Sequence, residues 1–368
     1  MKIDFANLQY QYRLYKDEID QRIQDILNKS NYIMGEEVYE LESKLSEFTG
    51  ARHAITCSSG TDALLLAMMA LDIQLDDEVI TTPFTFISTA ETIAFLKAKP
   101  VFVDIEEDSF NIDATKIEAA ITEKTKAIMP VSLFGQPADM EDINDIARKH
   151  NLKVIVDGAQ SFGSTYKGKK DSVLGDIATT SFFPAKPFGC YGDGGAVFTN
   201  NNDYAEKIKM IRIHGQSKRY HHEYVGMGGR FDTIQAAILL AKLPHYTAEI
   251  SKRQKIALQY SELLKDRVIT PQIKSDRTSV WAQYSVRVKN RGELQAKLKE
   301  RDVPSVVHYP IPLHLQECFR FLGGKSGDYV VAEKVSKEIL SLPFNPFLSC
   351  EEVEYISESV KAGSAIYR

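Results

Sequence analysis

One lysine with unusual neighbours is the first residue whose surroundings suggest chemistry. The stretch Ser181–Gly195 reads SFFPAKPFGCYGDGG, and Lys186 is its only basic residue. Burial lowers the pKa of a lysine because it disfavours the ammonium form, and the neutral amine is the form that makes a Schiff base with a carbonyl group. A lysine that reaches solvent from a loop is the alternative, but the prolines, aromatics and glycines around Lys186 favour the buried amine.

A carboxylate marks the end of an apolar strand. The run Val154-Ile155-Val156 is followed by Asp157, and Gln160 comes three residues later. Ligands of open α/β sheets bind just beyond the carboxyl ends of the strands. A carboxylate buried there needs a cation or hydrogen-bond donors. A protonated pyridine nitrogen would supply both, and capping of the next helix is the alternative.

A small-residue turn precedes a nearly uniformly apolar helix candidate. The sequence CSSGTDAL occupies residues 57–64. Such a helix start offers free backbone N–H groups and the positive end of the helix dipole, which suits a phosphate. An ordinary Ser or Thr N-cap is the alternative.

The sequence does not match the motifs of dinucleotide, P-loop or metal sites. If Gly192 and Gly194 began a GxGxxG dinucleotide motif, its third glycine would fall on Val197, and the cluster leads into a strand rather than a helix. No GxxxxGK[ST] motif exists, so a P-loop is excluded. No metal site is predicted, because the histidines and the four scattered cysteines lack ligand spacing, and the cysteines are expected to be reduced thiols.

Together these pieces match the parts of a pyridoxal phosphate site. The helix start would hold the phosphate, an aromatic in Phe84-Thr85-Phe86 would stack on the ring, and Asp157 would meet the pyridine nitrogen. Gln160 would bond the phenolic oxygen, and Lys186 would supply the amine.

The elements that position these residues alternate between strand and helix. Apolar strand candidates are separated by helical segments, which predicts an α/β architecture with a mainly parallel sheet covered on both faces. The predicted strands are Val79–Phe86, Pro100–Ile105, Lys126–Phe134, Val154–Ala159, Ala178–Phe183 and Ala196–Asn200, and the predicted helices are Thr61–Leu71, Ser88–Leu96, Asp113–Ile121 and Met140–His150. The last two strands leave no room for a helix between them, so the simple winding must change there.

The pattern changes after about Leu243. A smaller α+β domain is predicted, with helices at Glu249–Lys265, Gly292–Arg301 and Glu351–Gly363 and strands at Ala282–Val288 and Ser305–Tyr309. Because no Pro/Gly-rich linker occurs near residues 243–250, we expect a helix to bridge the two domains.

Composition limits the class of protein. The 368 residues are 43% hydrophobic and 26% charged, which is a globular composition. The length suggests two domains, with three as the alternative. The net charge of −5 gives no electrostatic footprint for nucleic acid. The longest apolar run, Ala63–Leu71, is nine residues and no secretory signal is evident, so no membrane association and a cytoplasmic location are expected.

The chain resembles the DegT/DnrJ/EryC1/StrS family of nucleotide-sugar aminotransferases. The resemblance runs from YIMG at residues 32–35 through SGTDAL at 59–64 to HYPIPLH at 308–314, and its most specific blocks are Ser181–Gly195, RIHGQ at 212–216 and GRFDTIQAA at 229–237. It implies the fold-type I architecture of pyridoxal phosphate-dependent transferases. A large domain with a mainly parallel seven-stranded sheet would span residues 1–245, including an N-terminal arm, and a smaller α+β domain would span residues 246–368.

The resemblance also implies roles for matched positions. Lys186 would hold the cofactor as a Schiff base and move the proton. The other cofactor contacts would be Gly60, Thr61 and Ser181 at the phosphate, Phe86 stacked on the ring, Asp157 at its nitrogen and Gln160 at its phenolic oxygen. Phe86 as a plain core aromatic is the alternative.

The family's homodimer completes each site with a segment from the second subunit that ends in Asn-x-Arg. Here Gly228 stands where many members have the asparagine, and Arg230 follows. Glycine has no side chain to contact the phosphate, so a backbone N–H or a water is expected to take the place of the asparagine. Arg230 could meet an anionic group of the substrate.

Three sequence blocks resemble one subgroup of the family most: FFPAKPFGCYGDGG at residues 182–195, HGQSKRYHH at 214–222 and VVHYPIPLH at 306–314. Its members transfer an amino group from L-glutamate to carbon 3 of UDP-linked 3-keto sugars derived from N-acetylglucosamine, often the uronic acid, and His308 and Tyr309 would contact that substrate. A packed pair before a proline turn is the alternative for those two residues. Amination of a dTDP-3-keto-6-deoxyhexose or a 4-ketosugar, and a non-catalytic regulatory protein on the same scaffold, stay open. Lys186 argues against the related dehydratases, which carry histidine there. The family expectation for the pathway is cell-surface polysaccharide or lipopolysaccharide synthesis.

Overall fold

The computed structural model describes residues 3–364. Its helices are α1 (Leu8–Lys29), α2 (Glu36–Thr49), α3 (Gly60–Ala70), α4 (Ser88–Phe95), α5 (Met140–Lys149), α6 (Asn202–Ile211), α7 (Thr233–Leu264), α8 (Arg291–Glu300), α9 (Val330–Glu338) and α10 (Cys350–Gly363). Its strands are β1 (His53–Cys57), β2 (Glu78–Thr81), β3 (Lys99–Phe102), β4 (Thr125–Ile128), β5 (Lys153–Asp157), β6 (Thr165–Tyr166), β7 (Lys169–Lys170), β8 (Ile177–Ser181), β9 (Gly195–Thr199), β10 (Gln216–Lys218), β11 (His221–His222), β12 (Tyr284–Arg287) and β13 (Ile339–Leu342).

A seven-stranded sheet forms the centre, in the order β1-β9-β8-β5-β4-β2-β3. Only β9 runs antiparallel to its neighbours, so the predicted mainly parallel seven-stranded sheet is confirmed. Alternate residues of β5 enter opposite cores: Val154 and Val156 pack in the cluster that includes α2 and α7, and Ile155 packs in the cluster that includes α3 and α6. Burial on both faces explains why the strands read as continuous apolar runs.

The reversed strand determines where the Lys186 loop lies. Since β8 and β9 are antiparallel neighbours, the chain between them turns back at the carboxyl end of β8. That end adjoins the carboxyl end of β5, where Asp157 pairs with Thr179 in parallel register. The departure from simple winding that the sequence predicts therefore brings Lys186 and Asp157 to one edge of the sheet.

A second core lies in the C-terminal part of the chain. It packs α7, α8 and α10 against the antiparallel pair β12–β13, with Tyr260, Tyr284 and Leu298 fully buried. The 32-residue helix α7 contributes Leu239 to the sheet's core and Tyr260 to this one. The predicted bridging helix is present, and the domain boundary at residues 245/246 stays a prediction.

The helix predicted at Asp113–Ile121 is wrong. Two short 3₁₀ turns, Ala114–Lys116 and Glu118–Ala120, occupy the segment. The Asp113 carboxylate accepts hydrogen bonds from both the backbone N–H and the hydroxyl of Thr115. Such local side-chain bonds compete with the α-helical ladder and favour short turns.

The strand predicted at Ser305–Tyr309 is also wrong. Only Val306 forms a bridge, to Ser341, while β13 forms its ladder with β12. Prolines at 304 and 310 flank the segment and cannot donate to a ladder, and the His308 ring bonds the Ser341 hydroxyl instead. Of the helices in residues 3–364, none is long and apolar enough to cross a membrane.

Candidate active site

A cavity of about 530 Å³ opens at the carboxyl edge of the sheet, between β5, β8 and the start of α3. Nine of the predicted site residues line it: Gly60, Thr61, Phe86, Asp157, Gln160, Ser181, Lys186, His308 and Tyr309. Positions far apart in sequence thus meet in one cavity, and its C-terminal wall comes from the part of the chain beyond residue 245.

Lys186 carries the amine of this cavity. Burial lowers its pKa from the ordinary 10.5 to about 8, although the nearby Asp157 carboxylate opposes that shift. About a tenth of the amine is therefore neutral at pH 7, far more than for an unperturbed lysine, and the neutral amine is the form that nucleophilic attack requires.

Asp157 is buried at the end of β5. Its Oδ2 accepts a 2.7 Å hydrogen bond from the Thr89 hydroxyl, and its Oδ1 accepts one of 3.2 Å from the backbone N–H of Ala159. Burial raises the pKa of Asp157, while these donors and Lys186 pull the pKa down. The carboxylate is thus held in a fixed orientation and would gain from a cationic partner.

The start of α3 packs tightly against β8. The Ser59 hydroxyl caps the helix by accepting from the Asp62 N–H at 3.0 Å. Within residues 3–364, no hydrogen bond engages the backbone N–H of Gly60 or Thr61. A Cβ at Gly60 would lie 2.6 Å from that of Ser181, so only glycine lets the two segments approach this closely.

Two aromatic rings line the opening. Phe86 is 54% exposed although it lines a cavity, and its ring centroid is 6.3 Å from that of Tyr309. An apolar face left open in this way is available to a flat ring, which argues against a plain core role for Phe86.

Hydrogen bonds connect the predicted glutamine to the C-terminal wall. Gln160 accepts from the Phe134 N–H at 2.8 Å and donates from Nε2 to the Tyr309 hydroxyl at 3.1 Å. Burial raises the pKa of Tyr309, so the hydroxyl keeps its proton. Burial, together with Lys186, lowers the pKa of His308 to about 4, so its imidazole is neutral.

Two predicted residues do not line the cavity. Gly228 forms a bridge with Ile213 and lies over His214, where an added Cβ would be 3.2 Å from the ring. Arg230 is exposed and has no ion pair in the described chain. Neither reaches the cavity of its own chain, which is the arrangement expected if they serve a second subunit.

Several polar side chains of the cavity are not among the predicted site residues, and Thr89 and Gln283 bear most directly on its chemistry. Thr89 holds Asp157, and its signal was its place in the first turn of a predicted helix just after Phe86. Gln283 lines the cavity, and its signal was a polar side chain within the predicted strand at 282–288. The cavity thus combines a low-pKa amine, a fixed carboxylate, a helix start whose first N–H groups are unbonded among residues 3–364, and an open aromatic face. Amine exchange on an aromatic phosphate cofactor requires such groups.

Comparison with known proteins agrees with that chemistry. Residues 14–361 match the DegT/DnrJ/EryC1/StrS aminotransferase family. The chain belongs to this family. The matched segment includes helices and strands of both cores and every residue named in the cavity.

Individual relatives are similar over nearly their whole length. The chain is 50% identical over 355 residues to a UDP-2-acetamido-2-deoxy-3-oxo-D-glucuronate aminotransferase of Pseudomonas aeruginosa, covering 96% of this chain and 98% of that one. It is 46% identical over 364 residues to a pleiotropic regulatory protein of Geobacillus stearothermophilus, covering 98% of each.

A solved structure shows the same fold with a cofactor. The crystal structure of the Bacillus subtilis protein NtdA with its bound cofactor PMP superposes with a TM-score of 0.91 at 31% identity, covering 98% of this chain and 84% of that one. The predicted family, fold class, aminotransferase activity and pyridoxal phosphate cofactor are confirmed.

Proposed function

We propose that this aminotransferase moves the amino group of L-glutamate to carbon 3 of UDP-2-acetamido-2-deoxy-3-keto-glucose or its uronic acid. The observation that carries the proposal is the low-pKa amine of Lys186 beside the buried Asp157 in a cavity that begins at α3. The choice of sugar rests on the Pseudomonas relative, whose name contains a UDP-linked 3-oxo-glucuronate.

The described residues fit pyridoxal phosphate. The free N–H groups of Gly60 and Thr61, with the Ser181 hydroxyl, would bind the phosphate, as helix starts bind anions. Phe86 would cover the ring. When bound, the cofactor supplies an electron sink that carries the amino group between two substrates.

Asp157 and Gln160 would orient the ring from two sides. The Asp157 carboxylate would hold the proton of the pyridine nitrogen, and Thr89 keeps one carboxylate oxygen in place. The Gln160 amide has two N–H donors. One goes to Tyr309, and the other is free for the phenolic oxygen.

Lys186 would attach the cofactor and, once displaced by substrate, move protons. A general base works best when its pKa lies near the operating pH. The pKa of about 8 places the amine in that range, whereas an unperturbed lysine would be almost fully charged. The neutral His308 and the protonated Tyr309, both from the C-terminal part of the chain, would donate to the sugar and add no charge near the amine.

We also propose a homodimer with shared sites, because Gly228 and Arg230 lie outside the cavity of their own chain. Gly228 would contribute its backbone N–H, and Arg230 would bind an anionic group of the substrate. Mixing inactive Lys186→Ala and Arg230→Ala chains tests the arrangement, because mixed dimers would contain one intact site. No recovery of activity after subunit exchange would contradict it.

A spectral titration tests the function. L-Glutamate should convert the visible absorbance of the bound cofactor, and a UDP-linked 3-keto-N-acetylglucosamine should restore it. Recovery only with dTDP-linked or 4-keto sugars would replace the proposed substrate. Borohydride should fix the cofactor to the wild type and not to Lys186→Ala.

One alternative keeps support from a named relative. The Geobacillus relative is called a regulatory protein, so a regulatory role on this scaffold is a second candidate. A cofactor absorbance that ignores glutamate would favour it. The cytoplasmic location and the polysaccharide or lipopolysaccharide pathway stay predictions.

A further inference from the structure

Two glutamine side chains line the cavity, and their surroundings differ. Gln160 has a partner at each end of its amide, the Phe134 N–H and the Tyr309 hydroxyl. The Oε1 of Gln283 is buried without a hydrogen-bond partner, and within residues 3–364 its Nε2 has none either. A buried polar group without a partner is costly, and in a native protein it calls for an explanation.

The backbone that carries Gln283 is firmly placed. Val280 and Ala282 donate backbone hydrogen bonds to Gly135 and Phe134, at 3.1 and 2.9 Å. A Cβ at Gly135 would lie 2.6 Å from the backbone nitrogen of Trp281, so the two segments are in close contact. Gln283 follows directly and begins the approach to β12, so the missing partners do not reflect a loosely held segment.

L-Glutamate and the sugar differ in the hydrogen bonds that they can form with the Gln283 amide. The carboxylates of L-glutamate only accept hydrogen bonds, so they satisfy only the N–H end of an amide. A sugar hydroxyl both donates and accepts, so hydroxyls of a pyranose satisfy both ends once the amide turns its buried Oε1 toward the cavity. Gln283, His308 and Tyr309 are the cavity residues that come from the part of the chain beyond residue 245.

We propose that Gln283 is a specificity-determining contact for the nucleotide sugar, whose hydroxyl groups supply the partners that its amide lacks. The inference rests on the proposed function and names the residue that distinguishes the sugar from the amino donor. It predicts that losing the amide weakens sugar binding and leaves the glutamate half-reaction unchanged.

The test uses holoenzyme and UDP-N-acetylglucosamine, which lacks the ketone and therefore binds without reacting. Calorimetry should show a Kd raised roughly tenfold in Gln283→Met, the loss expected for one well-placed hydrogen bond. The KM for L-glutamate should stay within about twofold of wild type, because its carboxylates gain little from this amide. Gln283→Glu should also bind the sugar less well, since a carboxylate cannot donate.

Stability provides the matched control. Gln136 bonds two backbone groups, the Gln272 carbonyl and the Lys274 N–H, away from the cavity. Gln136→Met should lower the unfolding temperature and leave the sugar Kd unchanged. Gln283→Met should not lower it, since no hydrogen bond within the chain is lost.

The outcomes separate the inference from the proposed function. An unchanged sugar Kd in Gln283→Met, with binding intact in wild type, overturns the inference alone. So does an equal rise of the glutamate KM, or a loss of stability that accounts for the change. Wild type that binds no UDP sugar overturns the proposed function, and the inference falls with it.

Discussion

The end of the cavity that we assign to the cofactor and the end that we assign to the sugar differ in how their side chains are hydrogen-bonded. At the cofactor end, Asp157 has two hydrogen-bond donors and Gln160 has a partner at each amide group, all from the same chain. At the sugar end, Gln283 has no partner among residues 3–364, and Arg230, which would reach this end only from a second subunit, is exposed in its own chain. A resident cofactor is served by a preorganised site, whereas the groups that meet a changing substrate receive their partners from it or from a second subunit.

The largest effect should come from removing the amine at the cofactor end. Lys186→Ala should slow the glutamate half-reaction by about 10³-fold or more, because the group that attacks and moves the proton is gone. The rate of change of the cofactor's absorbance on mixing with L-glutamate measures it. Lys255→Ala, which alters an exposed lysine of α7, is the control and should react like wild type. Near-normal turnover in Lys186→Ala would mean that another group is the base.

Asp157→Asn should come next. It keeps the shape of the side chain but removes the charge, and we expect kcat to fall about 10²-fold because the electron sink is weakened. Since Asp157 raises the pKa of Lys186, the same change should shift the amine's pKa further below 8.

The pH dependence of the glutamate half-reaction in Asp157→Asn tests both the loss of rate and the shift in the pKa of Lys186. Asp176→Asn alters a carboxylate that bonds Val154 at the opposite end of β5, and it should leave that dependence unchanged. A pKa of Lys186 that rises in Asp157→Asn would contradict the electrostatic coupling.

A smaller effect is expected from the side chain that orients the carboxylate. Thr89→Val removes the 2.7 Å hydrogen bond to Asp157 at nearly constant volume, and kcat should fall about tenfold, in line with the loss of one charge-assisted hydrogen bond. Thr92→Val removes a hydroxyl that bonds the Ser88 carbonyl inside α4 and serves as the control. Equal kinetics for both variants would mean that Asp157 needs no help from Thr89.

The sequence predicts some residues of the cavity and not others. Lys186, Asp157 and the α3 start were predictable because strand ends and helix starts bring them to one edge of the sheet. Thr89 and Gln283 were not, since their places in the cavity depend on contacts between segments far apart in sequence.

The two wrong elements have the same kind of cause. Side-chain bonds of Asp113 replace an α-helix with short turns, and pairing of β13 with β12 leaves residues 305–309 almost without a ladder. A pattern of residue types contains neither the local competition nor the choice of strand partner.

The smallest effect concerns stability and its pH dependence in the protein freed of cofactor. The folded-state pKa of Lys186 is about 8 against an ordinary 10.5, so between those pH values the unfolded chain binds a proton that the folded chain does not. Stability should therefore rise with pH across this window. Lys186→Met has no such proton, so it should be more stable than wild type at pH 7, and the difference should shrink from pH 8 toward 10.5.

Denaturant unfolding at a series of pH values measures that difference. Lys242, whose pKa burial also lowers to about 8, is present in both proteins and cancels. A difference that stays constant or widens with pH would show that Lys186 is charged without cost in the folded chain. In that case the low pKa on which the cofactor end depends would have to come from the bound cofactor rather than from burial.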